Sequence, residues 1–254
     1  MTKNTSSAGN SRAASCANDD LSDLFSNPNV AESIRGDSPS AFEAASEFWR
    51  SALSANVLEP RMKELILLAL HATVTALNGP QIQRHISRAL SAGATKKDIL
   101  DVLITIAGVA NHAVYFALPV LMNELKQLGH EEAELPPMTA SSQAIKDDFI
   151  AKRGFWNEQR DIVARAMPTY FSALNVLSTQ AWTEGSLITK ERELICIAID
   201  CSVTHMFGPG LAIHIRNALN KGATRDEILE VFALASATGL EGFVMATEAL
   251  YSTN

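Results

Sequence analysis

The amino-acid sequence contains two copies of one segment, and this repetition limits the folds that it can adopt. A shift of 129 positions places Glu64 on Glu193 and His85 on His214 without a gap. About half of the positions in residues 64–102 are identical to their counterparts, far more than two unrelated apolar helices would share. We therefore predict two packed copies of one unit of about 110 residues. Residues kept in both copies define a shared scaffold, whereas residues that differ can specialise a site.

The composition favours α-helices for the core of each copy. Hydrophobic residues make up 47% of the chain but aromatic residues only 6%, so the core consists mainly of Ala, Leu, Ile and Val. Such side chains suit the close packing of helices better than a β-sandwich. No segment alternates polar and apolar residues as a half-buried strand would. We predict an all-α fold in which two tandem helical repeats pack as a pseudo-dimer.

Helical periodicity and capping signals divide each copy into four helices. The pairs Gly79-Pro80 and Gly208-Pro209 end the second helix and allow the third to begin. Thr95 and Thr224, each followed three residues later by an acidic residue, form capping boxes that open the fourth helix. The second helix is apolar on every side, which is typical of the centre of a bundle. The predicted helices of the first copy span residues 39–55, 61–77, 81–92 and 96–125.

The chain divides into four segments. Residues 1–20 are rich in Ser, Asn and Ala and are predicted to be a disordered tail. Residues 21–127 form the first repeat and residues 146–254 the second. Residues 128–145, between the repeats, are polar and without helical periodicity, so we interpret them as a linker.

Charge and cysteine content restrict the partners and the compartment. A net charge of −7 argues against nucleic acid or an anionic membrane surface as the main partner. Cys16, Cys196 and Cys201 have neither a disulfide framework nor metal-ligand spacing, which favours a reducing, cytoplasmic environment. The N-terminal residues lack the apolar run of a signal peptide, and no uninterrupted apolar stretch reaches the length of a membrane span. We expect a cytoplasmic protein that acts on a small molecule without a cofactor.

A motif that begins at His85 and again at His214 is similar to a known family. Both copies read His-x-x-x-Ala-Leu-x-x-Gly-Ala-Thr-x-x-(Asp/Glu)-Ile-Leu-(Asp/Glu)-Val. This motif and the helices around it resemble the carboxymuconolactone decarboxylase family, which includes the AhpD-type alkylhydroperoxidases, over residues 39–126 and 168–251. Single-unit members form a trimer of dimers. The resemblance therefore implies an all-helical, AhpD-like fold and a homotrimer that forms a pseudo-hexamer.

The sequence departs from both branches of that family. Peroxidase members carry Cys-x-x-Cys just before the histidine, where this chain has residues 80–83 and 209–212, which contain no cysteine. A mechanism with two vicinal thiols is therefore disfavoured, and Cys196 and Cys201 are interpreted as small buried hydrophobic residues. The Tyr-x-Gly-x-Pro segment of decarboxylase members is also missing, so the classical lactone substrate is not assigned.

Two histidines and two glutamates are the candidate catalytic residues. His85 and His214 lie on the inner face of the third helix in each copy. Each is either a buried structural residue, bonded to a carbonyl group or to Glu64 or Glu193, or a general acid and base. The resemblance implies the catalytic role, with a glutamate of the preceding helix facing the histidine. Near the start of a helix, either glutamate could instead only stabilise the helix dipole.

Polar positions that differ between the copies are candidate substrate-binding residues. His71 corresponds to Asp200, Ala76 to His205, and His112 to Glu241, so we expect the two copies to build different sites. We favour the first as the active one, because it carries three histidines. The spacings between those histidines match no metal-ligand motif, so no metal site is predicted. The predicted substrate-binding residues also include two arginines beside the shared histidines. The full set is Arg84, His112, Arg216, His205, Glu241 and His71.

The leading functional hypothesis is a cofactor-free lyase or isomerase. By acid and base catalysis it would act on a small carboxylated or lactone-type ring compound, as in the degradation of aromatic compounds. An arginine would position the carboxylate, and a histidine would return a proton to carbon. The alternatives are an AhpD-like alkylhydroperoxidase of the peroxiredoxin type and a non-catalytic binding or scaffold protein.

Overall fold

The described part of the protein, residues 20–252 of a computed structural model, consists of helices and connecting turns without a strand. The all-α prediction is confirmed. The predicted tail, apart from Asp20, and Cys16 lie outside the described residues. Short 3-10 helices occupy Leu21–Leu24, Glu131–Ala133 and Thr238–Leu240. The α-helices are α1 Pro28–Asp37, α2 Pro39–Leu53, α3 Pro60–Ala72, α4 Gly79–Ser91, α5 Lys96–Val109, α6 His112–Gln127, α7 Ala140–Arg153, α8 Glu158–Ala166, α9 Pro168–Glu184, α10 Thr189–Cys201, α11 Gly208–Asn220, α12 Arg225–Ala237 and α13 Glu241–Tyr251.

The two copies form the same helices, with ends set by local signals. Helices α3, α4 and α5 correspond to α10, α11 and α12 after the shift of 129 positions. The capping boxes at Thr95 and Thr224 are both present, so each threonine accepts from a backbone N–H that its helix leaves unpaired. Gly93 and Gly222 follow α4 and α11 with φ of 94° and 86°, a left-handed conformation that favours glycine.

Several boundaries differ from the sequence prediction. Helices α3 and α10 end five residues before positions 77 and 206, because the chain turns there and Leu77 and Met206 adopt positive φ values of 45° and 47°. The predicted fourth helix is two helices, since α5 ends in a turn at Ala110 and Asn111. The predicted linker ends at residue 139, because Thr139 caps α7. Helices α1, α7 and α8 were not predicted.

Each repeat packs its C-terminal helices on the N-terminal helices of the other. Helix α5 packs against α9, and α12 packs against α2. Helix α6 packs against α8, and α13 packs against α1. Helices α3 and α10 lie in contact at the centre and are buried on every side, as predicted. This exchange makes the two repeats one unit with an approximate two-fold axis, near which Thr75 and its counterpart Thr204 lie 3.1 Å apart.

Two stretches are long and apolar enough to cross a membrane by length and composition, contrary to the expectation from sequence. They are Lys96–Gln127, which contains α5 and α6, and Arg225–Tyr251, which contains α12 and α13. Their most apolar windows are 50% and 39% buried inside the protein. Both stretches therefore contribute to the core.

Candidate active site

Each shared histidine is paired with the shared glutamate of its own repeat. His85 Nδ1 on α4 lies 2.8 Å from Glu64 Oε2 on α3. His214 Nδ1 on α11 lies 2.5 Å from Glu193 Oε2 on α10. An ionised carboxylate only accepts hydrogen bonds, so Nδ1 carries the hydrogen and Nε2 remains to bind or release a proton. The second oxygen of Glu64 accepts a hydrogen bond from Arg88, and the second oxygen of Glu193 accepts one from a side-chain amide.

Two further pairs cross between the repeats with their residue types exchanged. His71 Nε2 on α3 lies 3.6 Å from Glu241 Oε1 on α13. At the equivalent place, Asp200 Oδ1 on α10 lies 3.4 Å from His112 Nδ1 on α6. Histidine and carboxylate have changed places, but each site keeps one of each. Both sites are therefore built by both repeats, and this explains why the copies differ at these four positions.

The site around His85 is closely packed. His71 and His85 stack in parallel, with ring centroids 5.1 Å apart, and only 1% of His85 is exposed. Burial lowers the pKa of His71 to about 3 and raises the pKa of Glu241 to about 7, so near neutral pH His71 carries no charge. Glu241 accepts a hydrogen bond from Asn78. His85 Nε2 is buried without a hydrogen-bond partner.

The site around His214 contains a cavity of about 70 Å³. Helices α6, α7, α8 and α11 all contribute to its wall, so it also lies between the repeats. The side chain of His214 is 13% exposed, compared with 1% for His85, which leaves it accessible to a small molecule. The polar and charged side chains that line the cavity include Asn111, His112, Tyr115, Arg153, Arg160 and His214.

Two arginines in this cavity have different electrostatic environments. Arg153 lies 3.6 Å from Glu193 Oε1 and stacks on Trp182, with its guanidinium carbon 3.3 Å from the ring centroid. Arg160 has no carboxylate partner among the described residues, and its buried Nε and Nη1 make no hydrogen bond. It lies over Phe149, 3.8 Å from the ring centroid, and burial lowers its pKa. Since an uncompensated buried cation is costly, the cavity is suited to an anion.

A third histidine joins the pair of His112 and Asp200. His205, from the turn between α10 and α11, places Nε2 2.8 Å from His112 Nδ1 and 3.7 Å from Asp200 Oδ1. Neither carboxyl oxygen of Asp200 has a hydrogen-bond partner. Burial raises the pKa of Asp200 to about 7 and lowers that of His112 to about 3. These are the side chains of the site that could hold a metal ion.

The structure separates several of the residues predicted to bind substrate. His112 lies in the site of His214, so the predicted pocket with three histidines of the first repeat is wrong. Arg84 is half-buried near Glu241, in the site of His85. Arg216 is exposed and does not line the cavity. His71 and Glu241 share the first site, and His205 lies beside the second.

The two arginines of the cavity were not among the residues predicted from sequence. Arg153 and Arg160 lie on α7 and α8, before the repeated motif begins. After the shift of 129 positions they correspond to Leu24 and Ala31, both buried and apolar. A charged residue in the second copy at the place of an apolar one in the first was the signal that could have identified them.

The chain is similar to known proteins in both sequence and fold. The model of the "Carboxymuconolactone decarboxylase family" matches residues 39–121 and 168–250. The crystal structure of a candidate gamma-carboxymuconolactone decarboxylase subunit from Burkholderia xenovorans is similar, with a TM-score of 0.83 and 32% sequence identity. The similarity covers 91% of this chain and 93% of that one. Among curated proteins, none matches this sequence significantly.

Proposed function

The chain belongs to the carboxymuconolactone decarboxylase family, and we propose that it is a decarboxylase-like lyase with its reaction centre in the cavity beside His214. One observation carries the proposal: His214, held by Glu193, and the unpaired Arg160 line the same cavity. A proton donor and an uncompensated cation are the two groups that decarboxylation of an anionic substrate needs. The substrate class is a small carboxylated or lactone-type ring compound.

In the proposed reaction, His214 supplies the proton that replaces the lost carboxyl group. The bond from carbon to the carboxylate breaks, CO2 leaves, and the electron pair stays on the substrate as a dienolate conjugated to a carbonyl group. The Nε2–H of His214 then gives its proton to carbon, the N–H bond breaks and a C–H bond forms, and His214 takes a new proton from a water molecule, which leaves as hydroxide. Glu193 accepts from Nδ1 and fixes the orientation of the ring, so that the proton to be transferred lies on Nε2.

Arg160 binds a negative charge that the substrate keeps. A guanidinium paired with the departing carboxylate would stabilise the substrate more than the transition state, because that charge moves away as CO2 forms. A second carboxylate, or the enolate oxygen, keeps or gains charge during the reaction. We therefore assign Arg160 to one of these groups, which favours dicarboxylic substrates.

The site of His85 is assigned a structural role. Its histidine and glutamate have the same contact as the pair in the other site, but His71 stacks on the ring of His85 and both are buried. This assignment reverses the preference for the first repeat that the count of histidines suggested.

The thiols argue against the alternative alkylhydroperoxidase. Cys196 contacts the cavity, but burial raises its pKa well above the usual value, whereas a peroxide-reducing cysteine needs a stabilised thiolate. Burial also raises the pKa of Cys201 to about 11. Peroxide consumption that is lost on alkylation of these cysteines would favour the alternative.

A deuterium-incorporation assay tests the lyase. Small unsaturated lactone acids with one or two carboxylates are incubated with the protein in D2O, and CO2 release and product deuteration are followed. We expect both for the wild-type chain and a loss of both in His214→Gln. If compounds of the panel bind but none of them releases CO2, the result would instead support the alternative of a non-catalytic binding protein.

A further inference from the structure

We propose that His112, Asp200 and His205 form a binding site for a divalent transition-metal ion of the Zn²⁺ type, at the junction of the two repeats. The three residues come from α6, α10 and the turn before α11. The proposal goes beyond the lyase reaction and does not depend on it, since binding of an ion can be measured without turnover.

The positions of the three donor atoms meet the geometric requirement for one ion. His112 Nδ1, His205 Nε2 and Asp200 Oδ1 form a triangle with sides of 2.8, 3.4 and 3.7 Å. The circle through these atoms has a radius of about 1.9 Å, so a point just outside their plane lies about 2.0–2.1 Å from all three, which is the usual Zn–N and Zn–O distance. The three donor atoms therefore already lie at the separations that one ion requires.

The donor set is chemically suited to such an ion. Two imidazoles and one carboxylate bind Zn²⁺, Fe²⁺, Co²⁺ and Ni²⁺, whereas Mg²⁺ and Ca²⁺ prefer oxygen donors. Both carboxyl oxygens of Asp200 lack a hydrogen-bond partner although the residue is fully buried. A bound cation would compensate this buried acceptor. Phe207 stacks on His112 with ring centroids 3.9 Å apart and holds its ring in place.

The surroundings allow an ion to enter and to keep an open coordination position. The side chain of His205 is 21% exposed and lies at an apolar groove together with Thr73 and Ala110. His112 also lines the cavity beside His214, so the ion would lie at the cavity wall. Three protein ligands leave at least one position of a four-coordinate ion for water or for an oxygen of a bound molecule.

The other site provides an internal control. Its equivalent residues are Glu241, His71 and Ala76, so it has one histidine and one carboxylate but lacks the third donor. The first repeat carries alanine at the position of His205. A His205→Ala variant therefore recreates a side chain that this fold already accepts in the same turn.

The test is a titration of the full-length, tag-free chain with Co²⁺, followed by its visible absorption, and then displacement of Co²⁺ by Zn²⁺. We expect one Co²⁺ per chain with micromolar or tighter affinity, absorption bands of a four- or five-coordinate ion, and displacement by Zn²⁺ but not by Mg²⁺. His205→Ala should weaken binding about 100-fold or more. His71→Ala, which removes a buried histidine of the other site, should leave it unchanged.

The outcomes separate this site from the proposed reaction. Absence of stoichiometric binding, or unchanged affinity in His205→Ala, would overturn the metal site. Circular dichroism of both variants shows whether a loss of binding reflects unfolding. Because the readout is metal binding, a chain without decarboxylase activity could still bind the ion, and an active chain could fail to bind it.

Discussion

Arg192 and Asp101 form a buried ion pair that joins the two repeats. Arg192 Nη2 lies 2.6 Å from Asp101 Oδ2, and its Nε lies 3.2 Å from Oδ1. Asp101 also accepts the backbone N–H of Leu187 at 2.8 Å. The shift of 129 positions relates this pair to Lys63 and Glu230, whose charged atoms are 2.8 Å apart. The same cross-repeat contact therefore occurs twice, with different residues.

Asp101→Ala is expected to lower the free energy of unfolding by about 3–5 kcal/mol. The substitution leaves Arg192 buried without a counter-charge and removes the acceptor of the Leu187 N–H. Equilibrium denaturation in urea measures the loss. Replacing both partners, as in Asp101→Leu with Arg192→Met, should restore most of it, because no isolated charge then remains buried.

An exposed ion pair is the matched control. Glu47 lies 3.0 Å from Arg50 on the surface of α2, so Glu47→Ala should leave the urea midpoint unchanged. If Asp101→Ala were as harmless as this control, the buried pair would not contribute to the stability of the repeat junction.

His85→Gln and His214→Gln should differ in what they affect: the first should mainly lower stability, and the second should mainly lower turnover. His85 is fully buried and stacked on His71, so its replacement should cost about 1–3 kcal/mol and change turnover less than about tenfold. His214→Gln removes the proposed proton donor and should lower turnover about 10²- to 10⁴-fold. Paired kinetic and urea measurements test this difference. Equal, negligible losses of activity in both variants would refute a catalytic role for either histidine.

Arg160→Met should weaken substrate binding but not the fold. The variant removes an unpaired buried cation, so we expect the free energy of unfolding to stay the same or rise by about 1–3 kcal/mol. KM for dicarboxylic substrates should rise about 10- to 100-fold, with a smaller change for monocarboxylates. Thermal unfolding and steady-state kinetics measure both effects. A destabilised variant with unchanged KM would show that Arg160 serves packing alone.

Arg153→Met is the control for this prediction. Arg153 compensates Glu193 at 3.6 Å, so its removal should destabilise the protein, unlike the removal of Arg160.

The carboxyl group of Glu241 should make stability depend on pH. Its pKa rises from 4.5 to about 7 on folding, mainly through burial. Between these values the folded chain keeps a proton that the unfolded chain releases, so this stabilisation is complete below the unfolded pKa and is lost as pH rises through about 7. The variant Glu241→Gln has no carboxyl group at this position, so its stability does not depend on this titration. As the pH rises from about 4.5 to about 8, the free energy of unfolding of the variant should therefore increase by about 1–3 kcal/mol relative to that of the wild type.

Urea denaturation at several pH values measures this difference. His71 acts in the opposite direction, because its pKa falls to about 3 and its contribution is lost as pH decreases, but it is present in both proteins and largely cancels. Parallel stability curves for the two proteins would show that Glu241 keeps an ordinary pKa in the folded chain.

Much of the helical scaffold could be predicted from sequence, because its signals are local. The capping boxes at Thr95 and Thr224 and the Gly-Pro pairs depend on residues a few positions apart, and the structure forms helices at each of them. The all-apolar second helix also indicated correctly which helix lies at the centre. The break near Asn111 was missed, because both sides of it are apolar and the nearest glycine, Gly108, lies inside α5 and not at the break.

The candidate site could be predicted only in part, because it depends on contacts between distant parts of the chain. The pairing of His214 with Glu193 follows from residues in adjacent helices of one repeat. The partners His112 and Asp200 lie in different repeats, and nothing in either copy shows that their helices are exchanged. Arg160 was missed for the same reason, since α8 packs on α6, a helix of the other repeat.

The exchange of helices also affects how the chain is completed during synthesis. The backbone N–H of Leu58, in the loop before α3, finds its acceptor on Glu230, 172 residues later. A ribosome that adds about 5–20 residues per second reaches Glu230 about 10–30 s after Leu58. During that interval the first repeat has left the ribosome without the α12 helix that covers α2, and Lys63 lacks its counter-charge. The first repeat is therefore completed only by a helix of the second repeat, and a nascent chain that stalls before α12 exposes apolar surface to chaperones and proteases.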